Sequence, residues 1–229
     1  MNNKTCLVKI MFFIVLFFAV NPAHAGWVID HVSGDVMYVS SGKSKEVSKD
    51  DGTWSIYDGK AGKLSIINPA KKIYWQGAVK ELCAALKQMI PPMGASPAKP
   101  KVSIKQDGTE TIAGLATQKY RVMTNGTLHQ EIWIAENKAL TEEMKALEQY
   151  GKELAECHPA QTMEMMVDRD PGYQRIVANG YVMKEVTYES DMPIESDGVV
   201  SLEQKNIPAS EFDVPAGYRR VQTLMEIWM

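Results

Sequence analysis

The sequence predicts an α+β fold that is mainly antiparallel β, and three observations carry the prediction. Short segments of alternating polarity, punctuated by turn residues, fill the first third of the chain after its opening apolar run. A second block of the same kind follows a proline-rich stretch, and between and after the blocks apolar residues recur at spacings of three and four.

Taken in order, Trp27 to Val32, Asp35 to Val39, Ser44 to Val47, Thr53 to Tyr57, Lys63 to Ile67 and Lys72 to Trp75 read as six consecutive strands. Gly34, Ser41-Gly42, Asp51-Gly52, Asp58-Gly59 and Asn68-Pro69 separate them by supplying turn conformations or removing a ladder donor. Side chains alternate along a strand, so Trp54 and Ile56 share one face and Thr53, Ser55 and Tyr57 the other. From Ala78 to Ile90 the apolar Val79, Leu82, Cys83, Leu86 and Ile90 mark an amphipathic helix that Pro91-Pro92 ends.

Residues 91–100, with four prolines, Gly94 and Ser96, read as an exposed linker within the domain. Strands follow at Val102 to Lys105, Thr109 to Ile112, Gln118 to Met123 and Leu128 to Ala135, with Asn125-Gly126 a hairpin turn between the last two. Asn137 to Cys157 reads as helical, with Leu140, Met144, Leu147, Tyr150 or Gly151, and Leu154 on one stripe. A further helical piece is expected over Ala160 to Asp168, and strands over Tyr181 to Glu189 and Val199 to Lys205.

Residues 1–25 have the three parts of a cleavable export signal. Lys4 and Lys9 precede the apolar run Ile10 to Val20, and Ala23-His24-Ala25 forms a small-residue exit. The apolar run is shorter than the roughly 17 to 25 residues that span a bilayer, so cleavage after Ala25 and a periplasmic or secreted product are expected. The remainder, residues 26–229, suits one domain. The leader carries two lysines and no acid, so its loss makes a chain of formal charge −3 more acidic, which argues against nucleic acid as a partner. No second long apolar stretch suggests a membrane span. Of the three cysteines, Cys83 and Cys157 would enter an oxidising compartment, where a disulfide between them is expected.

Catalytic motifs are missing from the pattern. His31, His129 and His158 have no H-E-x-x-H spacing, and no G-x-S-x-G elbow occurs. Gly42-Lys43-Ser44 resembles the end of a phosphate-binding loop, but Met37 stands where its first glycine belongs. The acids of Glu142 to Glu156 interleave with Lys145 and Lys152 as on a solvated helix face. No enzymatic activity and no cofactor are expected. His158 with Met163, Met165 and Met166 offers soft ligands for copper, although Met165 would point away from the other two methionines on a continuous helix.

The run Thr109 to Val122, with Ile112-Ala113-Gly114 and then Lys119-Tyr120, followed by Glu131-Ile132-Trp133-Ile134, resembles the centre of an uncharacterised family of exported bacterial proteins. Phe212-Asp213-Val214-Pro215-Ala216-Gly217-Tyr218 resembles that family's ending, and Asp35 to Ser41 and Leu64 to Tyr74 suit its opening strands. Family members often carry a cysteine after the Ile-Ala-Gly turn, where this chain has Ala116 and Thr117. The resemblance implies a fold similar to the periplasmic lipoprotein carrier (LolA-like): a strongly curved half-barrel sheet with helices covering its concave face.

Such a sheet can leave an apolar hollow under its helices. The expected function is therefore binding or carriage of an apolar ligand, such as a lipid or a lipoprotein's acyl chains. Trp54, Ile56, Trp75, Met163 and Met166 are the candidate ligand-binding residues, since methionine adapts to irregular apolar surfaces. The alternative is a structural or protein-interaction module of the cell envelope, with the hollow filled by side chains.

Overall fold

The computed structural model describes residues 24–89, 98–145, 147–157, 163–189 and 192–229. The expected leader up to residue 23, residues 90–97 of the expected helix end and linker, His158 and the start of the helical piece expected from Ala160 lie outside the described residues.

The first block is an antiparallel meander of β1 (His24–His31), β2 (Val36–Ser40), β3 (Lys43–Val47), β4 (Trp54–Asp58), β5 (Lys63–Asn68) and β6 (Ile73–Ala78). Its tightest turn is Ser41-Gly42, where both residues have positive φ (55° and 76°), the geometry that continues the twist of two antiparallel strands. Helix α1 (Val79–Met89) begins where β6 ends, and the Ala78 N–H donates to Glu81 Oε2 at 3.0 Å as a cap on its first turn.

The second block contains β7 (Val102–Ile112), β8 (Leu115–Thr124) and β9 (Thr127–Ala135). Two strands were expected where β7 runs unbroken. Its register against β8 shifts between Gln106 and Thr109, and Gly108 at φ 109° lets the chain absorb the one extra residue as a bulge without ending the pairing. The Asn125-Gly126 turn closes β8 and β9 as expected, with φ of 53° and 90°.

The helical stretch after β9 divides into α2 (Lys138–Lys145) and α3 (Glu148–Cys157). Leu147 N–H donates to the Met144 carbonyl, three residues back, at 2.9 Å, which tightens the chain at the join. The division has a packing reason: Leu140 is buried beside Ile29, Met183 and Val199, whereas Leu147 is buried with Tyr57, Val79 and Leu82. One straight helix would serve only one of these clusters.

Helix α4 (Met163–Asp168) is followed by α5 (Pro171–Val177), which was not anticipated. The Asp170 carboxylate accepts from the Gly172 and Tyr173 N–H groups at 2.7 and 3.3 Å, and Pro171 occupies the first turn. Strand β10 (Tyr181–Glu189) leads to β11 (Met192–Ile207), 16 residues long and extending well beyond the expected Val199 to Lys205. A 3-10 turn at Ala209–Phe212, the short β12 (Arg219–Arg220) and α6 (Met225–Trp228) close the chain.

Among the described residues the strands form one open twelve-stranded sheet, in the order β12-β6-β5-β4-β3-β2-β1-β11-β10-β9-β8-β7. Only the β12–β6 pair is parallel, and the two edges do not meet to close a barrel. The α+β, mainly antiparallel prediction therefore holds. Strand β11 joins the blocks, because Met192 to Gly198 pair with β10 while Val199 to Ile207 pair with β1.

Candidate functional site

Register across the meander sorts its side chains into two faces. Met37, Glu46, Ser55, Ile66 and Trp75 lie opposite one another on β2 to β6 and face α1, α3 and α6. Trp54, Ile67 and Tyr74 form a row on the reverse face, where Ile56, Phe212, Val214 and Tyr218 join them. The C-terminal turn is held to that reverse face by a bond from Lys45 Nζ to Glu211 Oε1 at 2.6 Å, with the Lys45 ammonium 4.1 Å from the centre of the Trp54 ring.

This sorting separates the residues expected to hold a ligand. Trp75 faces the helices, packed beside Val79 and Leu82 of α1, whereas Trp54 and Ile56 lie on the opposite side of the sheet under the C-terminal segment. Met163 and Met166 belong to α4, whose Val167 packs over the second block with Val122, Ile132 and Ile134. No single pocket gathers the five among the described residues. For the soft-metal reading, Met163, Met165 and Met166 are each half-buried on α4. Among the described residues no group of three or more His, Cys, Asp or Glu is placed to hold a metal ion.

The helix-facing side has a different set of inward residues. Helix α3 packs mainly on α1, and the Cys83–Cys157 disulfide joins the two, with Cα atoms 4.9 Å apart. Tyr150 of α3 reaches the sheet and stacks on Tyr57, with ring centroids 4.4 Å apart. Around this contact Met37, Ile66, Leu86, Met144, Tyr150 and Leu154 point between sheet and helices, yet each stays only partly buried. They lie at the margin of a cluster whose centre, at Leu64, Val79 and Ile227, is fully covered.

Glu46 sits among these residues. Its side chain is exposed to solvent, yet desolvation by the protein around it lifts its carboxyl above the usual range. Asp35 and Asp197 add to the rise and His31 opposes it. Burial, with the Glu46 charge next in weight, pushes the Tyr150 hydroxyl up to about 12. Burial also raises Tyr181 to about 12, with Asp197 and then Glu46 contributing. A small adjoining cleft of about 220 Å³ is lined by His31, Tyr181, Met183 and Asp197 among others, and His31 Nδ1 lies 3.5 Å from Asp197 Oδ2. The result is a partly uncovered apolar surface edged by one carboxyl that binds its proton more tightly than usual and by two buried phenols.

Sequence reading missed Glu46, Met37 and Tyr181, and for Glu46 the reason is local. Strand β3 reads Lys43-Ser-Lys-Glu-Val47, polar on both faces, so alternation gives no sign that Glu46 turns inward or that Lys45 is buried on the reverse side.

Comparison with known proteins adds the family. No curated protein matches the chain. Among solved structures, an uncharacterised conserved protein from Thermus thermophilus is similar, with a TM-score of 0.43 and 7% identity over 88% of this chain and 91% of that one. A structure of PNGF-II is similar with a TM-score of 0.42 and 10% identity, over 89% of this chain but 33% of that one. The family model described as a domain of unknown function (DUF4412) matches residues 37–218, and the chain belongs to that family.

Proposed function

We propose that this protein is an exported, periplasmic binding or carrier protein that takes an apolar ligand, such as a lipid or a lipoprotein's acyl chain, between the sheet and helices α2 and α3. One observation carries the reading: Met37, Ile66, Leu86, Met144, Tyr150 and Leu154 face inward but remain partly uncovered. Apolar surface left in water is unfavourable by about 25 cal/mol per Å², and an inserted chain would cover it. Glu46, holding its proton more tightly than an ordinary carboxyl, offers a hydrogen bond to an ester or acid head group at the rim. The role proposed is non-catalytic, and the half-barrel arrangement of the lipoprotein carrier is the architecture such a role would use.

The experiment is mass spectrometry of organic extracts from protein purified from the periplasm without detergent, against a mock purification. Stoichiometric lipid that disappears in Met144→Glu, and persists in Ile194→Ser, supports the hollow as its seat. Folded protein without enriched lipid overturns the reading.

A second reading, an interaction module of the envelope, is favoured by exposed apolar residues, two near the join of the two blocks and two at the start of β11. Val32, Val200, Met192 and Ile194 are 61%, 61%, 66% and 56% exposed, and Val32 N–H donates to the Gly198 carbonyl at 2.8 Å beside Val200. Crosslinking in the envelope through Val200 would capture a partner under this reading.

A further inference from the structure

We propose a second binding site, for the phosphate group of a ligand, on the face of β8, β9 and β10 that carries Lys119, Trp133 and Lys184. The register places these three directly opposite one another, so the two lysine stems flank the indole. The Lys119 and Lys184 ammonium groups lie 4.8 and 4.5 Å from the centre of the Trp133 ring. Trp133 is 4% exposed, and its Nε1–H is buried with no acceptor. Buried donors are nearly always paired, so an indole N–H with no acceptor among the described residues, covered by two lysine stems, calls for an acceptor from outside the chain that reaches it as those flexible stems move aside.

The next row of the sheet supplies one carboxylate, which pairs with Lys119 and leaves the Trp133 N–H and Lys184 unserved. Glu131 is buried and already accepts from Lys119 Nζ at 2.8 Å, Arg121 Nε at 3.1 Å and Tyr188 Oη at 2.8 Å. Burial alone would raise its carboxyl, but these three donors outweigh burial and hold it below the usual range, so it stays ionised and engaged. Asp107 is taken up by Arg121 at 2.9 Å. Lys184 has no carboxylate within ion-pair distance among the described residues. Helices α4 and α5 cover the opposite face, through Val122, Ile132 and Ile134, and leave the lysine face uncovered by them. The local count of donors exceeds that of acceptors, and a tetrahedral oxyanion with several acceptor oxygens would complete it. The site is independent of the apolar hollow.

The test uses the intact protein labelled with 15N-tryptophan, with the Trp133 indole resonance assigned by its loss in Trp133→Phe. Inorganic phosphate is titrated at constant ionic strength against chloride. The expected result is a saturable shift of the Trp133 indole alone, weakened about tenfold in Lys184→Gln, the loss of one charge-assisted bond. Sedimentation with phosphatidylglycerol vesicles, against phosphatidylcholine, separates the sources. Binding to the anionic vesicles that phosphate competes away and Lys184→Gln weakens assigns a lipid head group. A phosphate response without vesicle binding assigns a free phosphate compound. A Trp133 resonance unmoved by phosphate and by both vesicles, in protein with a dispersed spectrum, overturns the proposal. So does a shift that chloride reproduces.

Discussion

Reduction of the Cys83–Cys157 bond should destabilise the protein more than any single surface substitution. The two residues are 74 apart in sequence, and closing a loop of that length removes denatured-state entropy equivalent to about 4.5 kcal/mol. Both sulfurs sit among Leu82, Leu147 and Tyr57, so the reduced thiols stay in an apolar setting that costs little by itself. For a domain of about 200 residues, where each kcal/mol moves the midpoint by roughly 2 to 4 °C, the melting temperature should fall by about 9 to 18 °C. The assay is thermal unfolding by far-UV circular dichroism with and without a phosphine reductant, with reduction verified by alkylation and mass measurement. Near-UV circular dichroism at 25 °C reports the Tyr57–Tyr150 stack and hence the seat of α3 on the sheet. Fully reduced protein whose midpoint falls by less than about 3 °C would refute the loop-entropy reasoning behind these numbers.

Three further outcomes follow from the same structure. Glu46 has a raised carboxyl, so the folded state binds its proton more tightly than the unfolded one. Its contribution must therefore become less favourable as pH rises from the ordinary value of 4.5 through the raised folded value. Urea midpoints of wild type minus Glu46→Gln should fall across that window, and a flat or rising difference contradicts the placement of Glu46. At the Lys45–Glu211 pair, Glu211→Ala leaves a buried ammonium without its partner and should cost about 1 to 3 kcal/mol in chemical denaturation. Lys45→Met should cost less, since an apolar side chain suits the Tyr38 and Trp54 rings there, and adding it to Glu211→Ala should recover stability. Ala113 stands at φ 46° in the turn between β7 and β8, a region that disfavours a Cβ. Ala113→Asn should raise stability by about 0.5 to 1 kcal/mol, read as a higher melting temperature.

The strands of the first block were readable because turn residues punctuate them and because one face alternates cleanly, as in Thr53 to Tyr57. The same rule misled at Asp107-Gly108, where a pair that usually turns the chain only bulges it; the tertiary pairing with β8 decides. The helix α5 did have a signal, Asp170 followed by Pro171, but its seven residues carry too little periodicity to reveal it. The length of β11 was hidden because Glu195 to Gly198 read as polar loop, and only pairing with β10 makes them strand. For the candidate site, Trp75 and the apolar stripe of α3 could be chosen from the sequence. The face on which Trp54 sits could not, because that depends on the C-terminal segment returning to cover it. Glu46 was invisible because nothing local tells an inward carboxylate from an outward one. The Cys83–Cys157 bond, by contrast, needed only two cysteines and an expected compartment.

The pairing of β1 with β11 sets an order of events. Asp30 and Ser201, 171 residues apart, meet across that pair, so the first strand pairs with β2 locally but cannot find its other neighbour until nearly the whole chain is available. Contacts this remote close slowly, because the entropy of the intervening loop must be overcome before any pairing repays it. A chain so wired forms its local hairpins early and joins its two blocks only when nearly all of it is available. For a protein proposed to cross a membrane before it works, that delay places the joining of the two blocks after passage.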